Sequence, residues 1–434
     1  EGAGPKAIEL DRHQRRMGMS YGAEKMVEEM KKDPVINEVI TAYTAGINSY
    51  IHSLSPEEYP IEFKILDYKP EEWSPLNCAL LLKLMSATLA GGTDEIYMSN
   101  ILSKFGPHVV KDLFPDYPTL EDPIIPSGTE WAFEPVKIPE APAAALAATS
   151  SIQTQQKVDG IGSNNWAVSG TKTATGYPLL ANDPHLDLTL PAIWYQIQLV
   201  SNDVNVRGVA IPGAPGVIIG FNQDIAWGVT NVGADVLDWY QVKFKDDQKN
   251  EYWYDNQWRR VTQRLEKISV RGGESLTDTV RYTHHGPVVY ENGKKPANLP
   301  KAANVPVGNA LRWIAHYPSN DVRTFYMLIT AKNHADYREA LKHYTAPAQN
   351  FVFASKDNDI AITPNGYFPL KWKNQGKFIL DGSNPANEWH GRIPAEHNPT
   401  VKNPPRSFVS SANQSSTDPS YPYYINWEFS ATER

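Results

Sequence analysis

Asp159-Gly160-Ile161-Gly162-Ser163-Asn164-Asn165-Trp166-Ala167-Val168 is the stretch on which the reading of this chain turns. A glycine-rich approach leads to one serine and then to a short run of strand-forming residues. Glycine before a serine permits a strained backbone in which the hydroxyl can attack the preceding carbonyl, because no Cβ blocks the approach. Such a cut would expose Ser163 as a new chain terminus. Its α-amine, with an unperturbed pKa of about 8, could then deprotonate its own hydroxyl, joining nucleophile and base in one residue. The pattern alone fits a plain turn equally well.

On either side of this stretch the texture differs. Upstream, residues 139–157 run from Pro-Glu-Ala-Pro-Ala-Ala-Ala into Thr-Ser-Ser-Ile-Gln-Thr-Gln-Gln-Lys, small and polar with nothing to pack, and read as a spacer. Before it, Ile36, Val39, Ile40, Tyr43, Ile47, Tyr50 and Ile51 recur at helical spacing, and residues 77–89 read as a second helix. The N-terminal third is therefore expected to be mostly helical. Downstream, β-rich runs at 166–168, 194–200, 217–221, 280–289 and 351–354 alternate with Gly, Pro and Asn-Asp turns. One long helix is expected at about 322–341.

Composition narrows the function classes. Of 434 residues 41% are hydrophobic and 21% charged, with 28 Gly and 34 Pro, which excludes disorder, collagen and coiled coil. At about 150 residues per domain, two or three domains or one large layered sandwich would fit. A net charge of −8 without a long basic run removes the electrostatic footprint of a nucleic-acid binder. Cys78, alone in the sequence and beside Ala79-Leu80-Leu81-Leu82, can form no internal disulfide and reads as a buried core thiol. No uninterrupted apolar stretch approaches the ~20 residues of a membrane span. The opening Glu1-Gly2-Ala3-Gly4-Pro5 has no signal-peptide character, so either the protein is cytoplasmic or its true start has been removed.

Further motifs follow Ser163 in a fixed succession. Leu179-Leu180-Ala181-Asn182-Asp183-Pro184-His185-Leu186 is followed by Ile211-Pro212-Gly213, Gly220-Phe221-Asn222 and the run Trp227-Gly228-Val229-Thr230-Asn231-Val232-Gly233-Ala234-Asp235-Val236-Leu237-Asp238. Later come Thr283-His284-His285-Gly286-Pro287, Ala346-Pro347-Ala348-Gln349-Asn350-Phe351, Trp389-His390-Gly391 and Ser411-Ala412-Asn413-Gln414. This succession closely resembles the penicillin acylase family of N-terminal nucleophile hydrolases, over nearly the whole chain. The resemblance implies an α+β fold, a four-layer αββα sandwich with a mostly helical N-terminal segment. It also implies a division into a helical α-subunit-like part (1–138), a removable spacer (139–162) and a β-subunit-like catalytic part (163–434), which form an α/β heterodimer after cleavage of one precursor.

By the same resemblance Ser163 is the nucleophile, and the backbone N–H of Asn231 with the side-chain amide of Asn413 holds the oxyanion. Two fixed donors aimed at a developing O⁻ are worth about 10² to 10³ in rate apiece. Arg434 matches an arginine near the nucleophile. His185 stands where some members carry Gln and others His, and is expected to bond the Ser163 amine or hydroxyl and to add a pH dependence. Glu95, Asp235, Asp238 and the Leu237 carbonyl match calcium ligands; oxygen-only donors suit Ca²⁺, which takes six to eight of them. The ion would be structural, and its site incomplete, because 418–424 reads Asp-Pro-Ser-Tyr-Pro-Tyr-Tyr without a clear further carboxylate.

Other patterns carry less. Adjacent His284 and His285 on a strand would face opposite sides and could not readily chelate one ion. Ser169-Gly170-Thr171-Lys172 lacks the partner motifs of a serine β-lactamase. The 47 aromatic residues read as core and sheet packing rather than sugar platforms.

Leu186, Ile218 and Ile219 match the acyl-pocket wall where phenylacetyl-selective members carry aromatic rings, and Gln349 adds a polar group. Aliphatic walls bring an extended acyl chain, as in an N-acyl homoserine lactone, level with a penicillin. The expected activity is hydrolysis of the acyl side-chain amide of a small N-acyl compound through an acyl-enzyme. The contrasting reading is a calcium-stabilised periplasmic binding protein that has lost activity. Relatives carry a signal peptide and further chain at both ends, so the sequence looks trimmed and a periplasmic or secreted location is expected. No organic cofactor, nucleic acid or membrane span is expected.

Overall fold

Local signals explain where the N-terminal helices start. The computed structural model describes residues 5–114, 122–143, 162–291 and 307–426. It opens with α1 (Pro5–Arg16), α2 (Met19–Lys32), α3 (Pro34–Ser53), α4 (Ile61–Leu66), α5 (Pro75–Ala90) and α6 (Asp94–Leu113). The Asp33 carboxylate caps α3 by accepting from the N–H groups of Val35 and Ile36, and Pro34 sits at the first turn. Ser74 and Asn77 form a capping box at the start of α5, again with Pro75 behind it. Met26 and Met30 of α2, Ile36 and Ile40 of α3, and Cys78 and Ala79 of α5 close one core, so Cys78 is buried as its neighbours suggested.

Residues 75–113 together have the length and hydropathy of a membrane span. The stretch is broken between α5 and α6, and α5 alone, at 16 residues, falls short of the ~20 that a bilayer requires. Lys83 lies buried within it.

The part beyond Gly162 is built on sheets. A seven-stranded sheet runs β17 (Val401–Lys402), β15 (Ile360–Asn365), β14 (Gln349–Ser355), β6 (Ile225–Asn231), β5 (Ile219–Phe221), β4 (Asn205–Ala210), β3 (Tyr195–Val200). Its neighbours pair antiparallel throughout. Alternation along β14 decides the layering: Phe351 and Phe353 pack with Phe325, Leu328 and Tyr337 on the helical side, while Val352 and Ala354 pack with Ala167 and Val409 on the other. The helical side is covered by α7 (Asp321–Thr330) and α8 (His334–Leu341). The opposite side carries a three-stranded sheet, β18 (Phe408–Ser411), β1 (Gly162–Val168), β2 (Leu179–His185). Helices, sheet and sheet thus stack in layers, the α+β sandwich expected from the sequence.

A six-stranded sheet, β10 (Thr262–Ile268), β11 (Leu276–Thr283), β12 (Gly286–Glu291), β13 (Val307–Trp313), β7 (Leu237–Lys243), β16 (Leu380–Asp381), stands beside this sandwich, and β8 (Glu251–Tyr254) pairs with β9 (Gln257–Arg260). Trp239, Leu311 and Trp313 of this sheet meet Ile96 of α6 and Met19 of α2. Ion pairs reinforce the contact. Arg16 holds Asp278 through two bonds of 2.6 and 2.7 Å, Arg264 grips Glu24 at 2.6 and 2.7 Å, and Arg323 reaches Asp33 at 3.0 Å.

Two expectations are corrected. The single helix at 322–341 is two, because the Asn333 side chain accepts from the N–H groups of Ala335 and Asp336 and starts α8 afresh. The run 280–289 is a hairpin rather than one strand, and His284 and His285 form its turn. The strand-alternation argument against their sharing a partner therefore fails. Their ring centroids lie 3.9 Å apart and both rings reach one carboxylate oxygen of Glu388, at 2.8 and 3.3 Å. Arg312 pairs with the other oxygen of Glu388. A cation already balances this carboxylate, and the cluster is a hydrogen-bonded network of which only His285 is buried. Most of the spacer, with Asp159 and Gly160, and Arg434 lie outside the described residues.

Candidate active site

Register fixes the surroundings of Ser163. In the β1–β2 ladder Ser163 stands opposite Pro184, Asn165 opposite Asn182, and Gly162 opposite His185. Ser163, Asn165 and Ala167 turn toward the seven-stranded sheet and are buried, whereas Trp166 on the other face is 40% exposed. The Ser163 hydroxyl donates to the Gly162 carbonyl oxygen at 2.6 Å, so it lies against the carbonyl group of the peptide bond expected to break. The Ser163 N–H donates to Asn413 Oδ1 at 2.5 Å. Asn413 itself sits at a φ of +64°, a left-handed conformation that asparagine tolerates better than most residues. Its Nδ2 donates to the Asn231 carbonyl at 2.7 Å. Ser163, Asn231 and Asn413, chosen from distant parts of the sequence, are one connected unit.

Four further polar residues complete this unit, and the sequence assigned none of them a role. Asn350, fully buried on β14, donates through Nδ2 toward Thr230 Oγ1, the Asn231 carbonyl and Ser411 Oγ at 3.2, 3.0 and 3.1 Å. Its own carbonyl accepts from Asn165 Nδ2 at 3.0 Å, and Thr230 and Ser411 share a hydroxyl pair at 2.9 Å. Asn350 is part of a quoted motif, and its place between two oxyanion candidates is the signal that could have found it. Gly228 on β6 is demanded by this packing, since a Cβ there would lie 2.2 Å from Asn182 Oδ1. A cleft of about 450 Å³ opens beside the unit, lined among others by Asn164, Trp166, Asp183, Ser410 and Gln414.

The remaining candidates are placed differently. His185, opposite Gly162, projects from the other face of the hairpin to Ser163, and its Nε2 meets Asp183 Oδ2 at 2.8 Å. No hydrogen bond joins it to Ser163 among the described residues. Ile218 is enclosed in the helix-side core, Ile219 is half-buried at its margin, and Leu186 is half-buried just beyond β2. Gln349 is buried at the start of β14 and donates to the Ala348 carbonyl at 2.9 Å.

Four residues past Asn231 begins a second centre. Carboxylate oxygens of Glu95, Asp235 and Asp238 lie within 4.8 Å of one another, and all three residues are buried. Leu237 starts β7 in register with Trp313. Among the carboxylates stands the Lys371 ammonium, 2.7 Å from an oxygen of each aspartate. Burial alone would lower Lys371, but Asp235 and Asp238 hold it above the ordinary lysine range. Burial pushes Asp235 up to about 7 against the pull of Lys371, and burial beside both aspartates drives Glu95 well above the usual carboxylate range. As arranged, the donor set does not fit a calcium ion, because an ammonium fills its middle. The 418–424 stretch supplies a phenol rather than a carboxylate: Tyr424 OH donates to Asp235 Oδ2 at 3.1 Å.

The family model for penicillin amidase matches residues 1–434, the whole chain. The chain belongs to the penicillin amidase family. An acyl-homoserine lactone acylase, QuiP, from Pseudomonas aeruginosa is 27% identical over 97% of this chain and 50% of its own length. The penicillin acylase 2 proenzyme of Pseudomonas sp. (strain SE83) is likewise 27% identical, over 98% of this chain and 53% of its own. Among solved structures, a thermostable penicillin G acylase from Alcaligenes faecalis superposes with a TM-score of 0.50 at 23% identity, covering 62% of this chain and 47% of that one. This likeness shows the fold. The penicillin amidase chain described here spans about half the length of the curated relatives it matches.

Proposed function

We propose that this penicillin amidase family chain hydrolyses the amide bond of a small N-acyl compound through an acyl-enzyme on Ser163, after Ser163 has been freed by cleavage of its own chain. The observation that carries the reading is the Ser163 hydroxyl lying against the Gly162 carbonyl, with the Ser163 nitrogen already held by Asn413. In the first step Oγ attacks the Gly162 carbonyl carbon, the C–N bond breaks, and the nitrogen takes the hydroxyl proton. The resulting ester is hydrolysed by water. This leaves a carboxylate at Gly162 and a free α-amine at Ser163.

In turnover the amine takes the proton of its own hydroxyl, and Oγ attacks the substrate carbonyl. The oxyanion is held by the Asn231 N–H and by Asn413 Nδ2, which turns to it from the Asn231 carbonyl. Collapse expels the leaving amine with the proton from the Ser163 nitrogen, and water then releases the acid by the same path. The half-buried Leu186 and Ile219 favour an aliphatic acyl chain, in keeping with a relative named for acyl-homoserine lactones. A penicillin side chain is the second substrate, in keeping with the relative named a penicillin acylase. The division at Ser163 into a helical part and a catalytic part, joined as a heterodimer, follows from the same cleavage.

The test compares wild type with Ser163→Ala for chain cleavage by mass spectrometry and for amine release from a panel of aryl and alkyl anilides. Wild type should yield two fragments, one beginning at Ser163, and the variant a single species with no turnover. Cleavage and turnover that both persist in the variant reject the mechanism.

A further inference from the structure

We infer that the Lys371 ammonium is the resident cation of the Glu95, Asp235 and Asp238 centre, occupying the place that the family resemblance gives to calcium, so that this centre is metal-independent. An ammonium has three protons to place. Here they meet Asp235 Oδ1 at 2.7 Å, Asp238 Oδ1 at 2.7 Å and the Asp235 carbonyl at 3.1 Å. The two carboxylate lengths are those of charge-assisted N–H···O bonds, about 2.7–2.9 Å, whereas calcium draws its oxygens to about 2.3–2.6 Å.

The other aspartate oxygens are committed as well. Asp235 Oδ2 accepts from Tyr424 OH at 3.1 Å, and Asp238 Oδ2 accepts from Trp389 Nε1 at 2.5 Å. Every aspartate oxygen therefore has a donor supplied by the protein, while calcium would require six to eight oxygens turned toward itself. The chain closes over the lysine at Gly376, whose φ is +88° and where a Cβ would lie 2.0 Å from Asp238 Oδ1 and 3.0 Å from Lys371 Nζ. Only glycine lets the backbone pass so near the pair. The Trp389 ring, 5.6 Å from Nζ at its centroid, adds a favourable face for a cation.

This ammonium ties the segment after β15, through Lys371 itself, to Asp235 in the β6–β7 connection and Asp238 on β7, and Glu95 of α6 brings a carboxylate oxygen within 4.8 Å of theirs. It therefore braces the end of β6, where Asn231 sits, in the manner of a structural metal. The measurement is made on the purified full-length protein carrying this chain. Elemental analysis of the protein as purified, without chelator, should find no stoichiometric calcium, and the melting midpoint should be the same with calcium or EGTA. Lys371→Met should melt several degrees lower. Lys371→Ala should acquire a tryptophan-sensitised terbium luminescence that wild type lacks. One calcium per wild-type chain, whose removal lowers the midpoint unless Asp238→Asn is present, overturns the inference. So does an undiminished midpoint in Lys371→Met, or equal terbium luminescence in wild type and Lys371→Ala. Should neither lysine variant fold, the calcium content and EGTA response of wild type decide alone.

Discussion

Asn231 and Asp235 are four residues apart, yet they belong to centres of opposite character. Around Asn231 every neighbour in the network is a neutral amide or hydroxyl, and the buried Oδ1 atoms of Asn165 and Asn350 accept no hydrogen bond among the described residues. Around Asp235 the lysine protons and the aspartate oxygens are all matched. Leaving a buried acceptor unsatisfied costs about 1–3 kcal/mol, and such groups call for an explanation such as strain or catalysis. In the proposed mechanism the unfinished network is the one whose bonds would change as the Ser163 peptide became an amine and an oxyanion formed. The finished one has nothing to rearrange. Bonding completeness thus distinguishes the two networks.

That contrast breaks if variants in the two centres move the same observable. Ser163→Ala should reduce amide turnover by more than about 10⁴-fold while leaving the denaturant midpoint of the uncut chain near that of an uncut reference. Asp238→Ala should do the reverse. It removes one of the two counter-charges of a buried ammonium and the acceptor of Trp389 Nε1, which costs about 3–5 kcal/mol in unfolding measurements, and any properly folded fraction should keep its turnover. Asn413→Ala, which removes one oxyanion donor, should lower kcat by about 10²–10³-fold.

A pH titration reads buried groups outside the Ser163 network, in addition to the raised Asp235 and Glu95 of the lysine centre. Burial pushes His316 down to about 4, with Lys83 and Lys25 adding to the effect, while its Nε2 is bonded to the Met17 carbonyl. Burial likewise takes His285 down to about 3. Glu388 resists its own burial and is held at about 2 by its His284 bond and the nearby His285 and Arg312. An unfolded chain binds these protons first, so the contribution of these groups to stability is complete above about pH 6.5 and falls as the pH drops toward 4. The melting midpoint should follow that course, with a shallower slope in His316→Gln. The smallest effect concerns the pocket: Gln349→Leu should shift preference among alkyl anilides by about 10-fold, read as a ratio of kcat/KM values.

Much of the sandwich was legible because it rests on local rules. The periodic apolar residues of α3 and the β-rich run beginning at Trp166 each state their element within a few residues. Helix α7 and the His284-His285 turn were misjudged where one side chain or one turn overrode a continuous apolar run. Ser163, Asn231 and Asn413 could be named because motifs flank them. Asn350, Thr230 and Asn165 stand in the quoted motifs too but received no role, since a buried polar residue on a strand reads in sequence like an outward-facing one. Lys371 was invisible for a different reason: in Phe-Pro-Leu-Lys-Trp nothing foretells a carboxylate 133 residues upstream.

The ion pairs between the helices before the spacer and the part after Ser163 carry a last implication. Arg16 with Asp278, Glu24 with Arg264 and Asp33 with Arg323 each have one member before the spacer and one after Ser163. Severing one backbone bond would therefore free a terminus without freeing a subunit. The fragments would part only under dissociating conditions, and dilution would leave them as one particle.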